Sequence, residues 1–166
     1  GQYTAALTAD GFEPLTQSFE VVDDPDQTLS ISLTPLPGIL TIQTRPEVAA
    51  MVLVDQVEVG TTPLTIDSVP AGLHDVRIIP ERYFLVDTDI DITGQRIEQT
   101  LTVDLTPAWA KISLATMPAD ATISIDDESV GTTPGTFEAL DGERRLKVSK
   151  FGYKSVESTL SVEAGV

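Results

Sequence analysis

Apolar and polar residues alternate along most of this chain in short runs rich in Val, Ile and Thr. The period of two is plainest in Ile90-Asp91-Ile92 and in Leu101-Thr102-Val103-Asp104-Leu105. A strand points successive side chains to opposite faces, so this pattern predicts strands with one buried and one solvated face. Leu40-Thr41-Ile42, Met51 to Val54, Leu73 to Ile79 and Leu85 to Ile92 read the same way. No window carries the period of an amphipathic helix. Turn-forming residues punctuate the runs at Pro46, Asp55-Gln56, Gly60, Pro63, Gly72, Pro80 and Gly94. Short strands at this spacing predict an all-β protein built from small antiparallel β-sandwich modules of Ig-like character, or from small barrels.

The pattern repeats. VGTTP occurs at Val59 to Pro63 and again at Val130 to Pro134. Around it Thr44-Arg45-Pro46 aligns with Thr116-Met117-Pro118, Val54-Asp55 with Ile125-Asp126, Gly72 with Gly142, and Tyr83 with Tyr153. A third, partial copy precedes these, because QTLSISLTP at Gln27 to Pro35 matches QTLTVDLTP at Gln99 to Pro107. Repeats of this size mark tandem modules. The expected organisation is the C-terminal half of a repeat over 1–37, a complete repeat over 38–108, and a repeat lacking its last strand over 109–166.

Within each copy VGTTP follows a tight hairpin and closes its second strand. Gly60 and Gly131 can take the positive φ at which the chain bends away. Pro63 and Pro134 have no N–H, so strand pairing stops there. Gly72 and Gly142 serve the next turn. These six residues read as structural punctuation. The rival reading, a duplicated ligand loop, lacks the lysine, helix start and glycine spacing of a phosphate loop.

Charge narrows the partners. The chain has 26 acidic and 10 basic residues, for a net charge of −16. Such a surface repels phosphate backbones and anionic membranes, which excludes nucleic acid as an expected partner. There is no apolar run long enough for a membrane helix, so insertion by this segment is not expected. The absence of cysteine removes disulfides and thiolate chemistry. The opening Gly1, without a signal sequence, is expected of a piece cut from a longer protein.

The hairpin Asp followed by VGTTP, the glycine turns in VPAGLHDV and ALDGERRL, the aromatic turns PERY and KFGY, and a strand ending L-T-P together resemble PEGA domains. The resemblance covers nearly the whole chain. It departs at Arg82, where the other two copies have Gly11 and Gly152, and at Gly135, where the second copy has Leu64. Both departures fall in turns. The resemblance implies small, mostly β modules of bacterial and archaeal envelope proteins, an extracytoplasmic location, and no catalysis. It also implies company: such modules accompany other domains, including kinase-like ones, so the parent protein can carry an enzyme elsewhere.

Candidate chemistry is sparse. The one histidine, His74, cannot form a multi-histidine zinc site, and it aligns with Arg144, so it reads as a bystander at the surface or strand end. Asp87, Asp89 and Asp91 share one strand face and do not converge as calcium ligands must. The loop Asp23-Asp24-Pro25-Asp26 is better shaped for calcium, yet its counterpart Thr93-Gly94-Gln95-Arg96 lacks the ligands. No catalytic, cofactor or metal residue is assigned. Arg145 and Lys147 form the heart of a small basic patch, either a charge-balancing face or a dock for an acidic partner. Trp109 stands in the linker LTPAWAKI, either packing between modules or stacking on a glycan.

Two functions remain open at this point. The first is a non-catalytic spacer and interaction segment of an envelope-associated multidomain protein, with proline-containing linkers favouring a stiff, extended array. Its partners would be adjacent domains of the same chain or another envelope protein. The alternative is a module that binds cell-wall or other glycans.

Overall fold

The computed structural model describes residues 1–22 and 27–164, and every helix or strand among them is a strand. The suggested calcium loop at 23–26 lies outside the described residues. Two compact units are present. One comprises Gly1–Ile78 with Val86–Asp104, and the other comprises Ile79–Leu85 with the chain from Leu105 onward.

The first unit opens on a hairpin of β1 (Gln2–Leu7) and β2 (Leu15–Glu20), paired in the register Gln2↔Glu20 to Leu7↔Leu15. Then come β3 (Gly38–Arg45), β4 (Ala50–Val54), β5 (Val57–Thr61), β6 (Leu64–Val69), β7 (Gly72–Pro80), β8 (Val86–Ile92) and β9 (Glu98–Asp104). They make two sheets, ordered β6-β3-β9 and β5-β4-β7-β8. Alternate residues of β3, β4 and β7 form the core: Leu40, Ile42, Val52, Val76 and Ile78 are wholly buried. The intervening residues face solvent, as the period of two requires.

One ladder departs from the antiparallel expectation. β3 and β9 run parallel, from Ile39↔Glu98 to Arg45↔Asp104. Parallel neighbours need a crossover connection, and here the chain crosses through the other sheet before returning beside β3. Alternation alone carries no strand direction, so the sequence pattern could not show it.

The second unit repeats this plan with β10 (Trp109–Leu114), β11 (Thr122–Ile125), β12 (Glu128–Thr132), β13 (Gly135–Leu140), β14 (Gly142–Ser149) and β15 (Val156–Val162). Its four-stranded sheet is β12-β11-β14-β15, while β10 and β13 form a sheet of two. Ile123, Ile125, Phe137, Ala139 and Val162 make the buried core. Counterpart strands keep register, because Ile42↔Leu64 in one unit corresponds to Leu114↔Gly135 in the other.

The exchange of Leu64 for Gly135 has a packing reason. A Cβ on Gly60 would come within 3.2 Å of Leu64, so the leucine side chain fills the space beside that glycine. In the second unit the Phe137 ring fills it instead, lying 2.8 Å from where a Gly131 Cβ would be. A Cβ on Gly135 would sit 2.7 Å from the same ring. Phenylalanine at 137 and glycine at 135 are therefore a matched pair.

Candidate functional site

The duplicated loop is the natural place to look for a site. Gly60 and Gly131 both have φ of +144°, beside a bulge where β5 and β12 slip register against β4 and β11. Pro63 and Pro134 each follow a cis peptide bond and separate the fifth strand from the sixth and the twelfth from the thirteenth. Gly72 and Gly142 begin β7 and β14 with φ of +127° and +96°.

The threonine before each proline turns inward. Thr62 is buried; its hydroxyl donates to the Val48 carbonyl at 2.7 Å and accepts from the Ala50 amide at 3.0 Å. Thr133 is buried too, accepting from the Ala121 amide at 3.2 Å. Its hydroxyl also meets Thr116 Oγ1, which donates to the Pro118 carbonyl. A hydroxyl has one proton, so with Thr116 donating onward Thr133 must be the donor between them. Both threonines hold the loop that crosses over them.

The hairpin aspartates do the same for the neighbouring strand. Asp55-Gln56 and Asp126-Asp127 all have positive φ, which makes both hairpins two-residue type I′ turns. Asp55 Oδ1 accepts the Asp75 amide at 3.1 Å, and the Asp55 amide donates to the Asp75 carbonyl. Asp126 repeats both bonds with Arg145, at 2.9 Å each. Each carboxylate thus fastens its hairpin tip to the adjacent strand.

His74 lies near the start of β7, as expected of a strand-end residue, but it is neither exposed nor a bystander. It is 8 % exposed, with Nδ1 2.7 Å from Asp55 Oδ2 and Nε2 2.9 Å from the Pro70 carbonyl. Burial works against its charge most strongly. The bonds to Asp55 and Pro70, with the charges of Asp55 and Asp91, outweigh burial and hold its pKa above the usual value. Asp55 is pushed down in turn, chiefly by the His74 bond and then by the Asp75 amide. In the second unit Arg144 takes the same position. It donates to Asp126 Oδ2 at 3.3 Å, to the Leu140 carbonyl at 3.0 Å, and to the Asp141 carbonyl. Imidazolium and guanidinium are interchangeable here because both are multiple donors facing only acceptors. The signal available in sequence was the shared cationic character of the aligned pair, read together with the aligned aspartates.

The cations of β14 are paired with carboxylates on the surface. Arg145 donates to Asp127 at 3.1 Å, and Lys147 lies 3.4 Å from Glu157. Arg144, Arg145 and Lys147 thus each have a carboxylate beside them, and Lys150 caps the Ala119 carbonyl. Asp87, Asp89 and Asp91 are exposed along one face of β8, and Arg77 clamps Asp87 through Nε at 2.6 Å and Nη2 at 3.0 Å. That guanidinium holds the Asp87 carboxyl below its usual value.

Trp109 lies at the start of β10, opposite Leu140, and is half-buried. The Arg82 guanidinium sits 5.6 Å from its ring centroid and donates to Glu138 at 2.6 Å. Arg82 holds φ of +64°, against +80° and +81° at Gly11 and Gly152, so an arginine occupies the left-handed position that glycine fills elsewhere.

The recurring polar residues are therefore joined to backbone or to one another. No group of three or more acidic, histidine or cysteine side chains converges on a metal position among the described residues, and no buried side-chain polar atom there lacks a partner.

Comparison with known proteins agrees with the repeat. The family model described as PEGA domain matches twice, over residues 37–108 and 109–166. No curated protein matches the chain. Among solved structures, the Bacillus anthracis TIE protein is similar over 99% of this chain and 40% of its own, at 13% identity and a TM-score of 0.40. The chain spans less than half of that protein's length.

Proposed function

Because the chain belongs to the PEGA domain family, we propose that it is a non-catalytic spacer and interaction segment of an extracytoplasmic, envelope-associated protein. One observation carries this reading. The polar residues that recur between copies, Asp55 with Asp126 and Thr62 with Thr133, are bonded to backbone in both. A duplicated site for substrate would leave the same groups free and facing a common cavity. Their duplication instead reproduces a fold, which is what a linear array of modules requires.

The linkers support the spacer reading. Leu33 to Leu40 and Leu105 to Ile112 are short, and Pro35, Pro37 and Pro107 restrict them. The glycan alternative gains nothing from Trp109, since Arg82 already lies over its ring. Solution scattering on the monomeric chain tests the proposal. A compact chain of this length has a radius of gyration of about 15 Å. A clearly larger value is expected of a spacer, and a value near the compact one contradicts it.

A further inference from the structure

The complete repeat begins and ends on neighbouring strands. β3 is its first strand and β9 its last, and the chain continues from both, backward through Pro37 and forward through Leu105. They pair in parallel over every residue from Ile39↔Glu98 to Arg45↔Asp104. The start of β3 and the end of β9 therefore lie at opposite ends of one ladder. Tension along the chain enters at the first and leaves at the second. It slides the two strands past each other, so the evenly spaced bonds of the ladder resist together. An antiparallel β9 would put both load points at the same end. The same tension would then open the ladder one bond at a time.

The surroundings of this ladder reinforce it. β3 is held on its other edge by β6 and so cannot swing out alone. On the buried face Leu40, Ile42, Thr44 and Val103 are 0–6% exposed, which keeps water from competing for the ladder bonds. On the exposed face Gln43 donates to Thr102 Oγ1 at 2.8 Å, and Arg45 donates to Asp104 Oδ1 at 3.3 Å. Both links join paired positions of the two strands. The grip also begins ahead of the ladder. The Gln95 and Arg96 amides donate to the Leu36 and Pro37 carbonyls at 2.6 and 3.0 Å, and the Ile39 amide donates to the Ile97 carbonyl at 3.0 Å. The loop that leads into β9 thus holds the chain that leads into β3. Gly94 permits this approach, since a Cβ there would lie 2.7 Å from the Leu36 carbonyl oxygen.

We infer that the complete repeat is a load-bearing module, with the β3–β9 ladder as the clamp that keeps it folded under tension. Resistance to force is set by the rate of unfolding and not by equilibrium stability. A small module with a modest core is therefore able to be strong along one direction and weak along another. The strong direction here is the one in which the chain itself pulls. That role rests on the spacer reading for the source of its load, whereas the strength of the ladder belongs to the repeat itself.

The absence of cysteine lets thiol-linked handles be placed at chosen positions of the full chain for optical tweezers. Thr34→Cys with Thr106→Cys loads the ladder along its length. Glu47→Cys with Thr106→Cys pulls across the far end of the ladder, and Thr34→Cys with Glu98→Cys pulls across its near end. All four positions are exposed. At one pulling speed the lengthwise pair should rupture at several times the force of either crosswise pair. Its rupture should be one event releasing about 200 Å, the extended length from Gly38 to Asp104 less that of the folded ladder. A lengthwise force equal to or below the crosswise forces overturns the inference. A weak ladder in a chain that scattering shows to be extended removes the load-bearing role and leaves the spacer reading standing. A strong ladder in a compact chain keeps the clamp and removes the spacer.

Discussion

His74 Nδ1 lies 2.7 Å from Asp55 Oδ2 while its Nε2 lies 2.9 Å from the Pro70 carbonyl, so both ring nitrogens face acceptors and both must donate. Only the imidazolium satisfies this arrangement. The pair therefore stabilises the repeat in a bounded pH window. The His74 pKa is raised above 6.5, so its contribution is complete below that value and is lost as pH rises through the folded pKa. The Asp55 pKa is lowered below 3.8, so its contribution is complete above that value and is lost as pH falls through the folded pKa. Urea melts followed across pH should show this pair's contribution level between these two values and declining beyond each. In His74→Gln the decline on the alkaline side should vanish. An NMR titration placing the His74 midpoint below 6.5 would contradict the assignment.

Thr62 tests the loop. Thr62→Val keeps the shape, but it leaves the Val48 carbonyl and Ala50 amide without that hydroxyl. Unmade bonds at a buried site cost about 1–3 kcal/mol. Thr62→Ser keeps the hydroxyl and should cost less. Equal stability of the Val and Ser variants in chemical denaturation would remove the hydroxyl from the explanation.

Gly131 and Gly60 share a backbone angle but not a neighbour. The Phe137 ring stands 2.8 Å from the Cβ position at Gly131, against 3.2 Å to a leucine methyl at Gly60. Gly131→Ala should therefore be the more damaging change, with strain of order 1–3 kcal/mol from backbone alone and crowding added. Adding Phe137→Leu should recover part of the crowding term. Thermal melts ranking Gly60→Ala as the worse substitution would show that the ring gives way more readily than its packing implies.

Much of this was readable in the chain. Alternation and turn residues located the strands, and VGTTP located the bend and the end of pairing after each hairpin, because these signals act over a few neighbouring residues. The cation above Asp55 was not readable in the same way. His74 and Asp55 are separated by 19 positions, and the aligned Arg144 disguised a shared function as a mismatch. The parallel β3–β9 ladder was hidden for a related reason, since the buried face of a strand is the same whichever way its neighbour runs. Trp109 read as a linker residue but begins β10, and its partner Arg82 sits in a turn where glycine was the expected residue.

Arg82 combines an unfavourable backbone with useful side-chain contacts. Its pairing with Glu138 and its position over Trp109 are half-exposed, which limits them to about 0.5–1 kcal/mol. Arg82→Gly loses the contacts but relieves φ of +64°, whereas Arg82→Ala loses the contacts and keeps the strain. Alanine should thus be the less stable of the two. Trp109 is the sole tryptophan, so its emission should shift in both variants. Unchanged fluorescence would mean that the guanidinium is not over the ring.

The carboxylates of Asp55 and Asp126 offer the most direct measurement of whether the duplicated polar residues serve the backbone. Their side-chain titrations can be followed by NMR alongside the Asp75 and Arg145 amides that they accept. Both carboxyls should titrate below 3.8, and both amides should resist hydrogen exchange until those carboxyls protonate. Ordinary titration with freely exchanging amides in both copies would mean that these aspartates are free to bind something else.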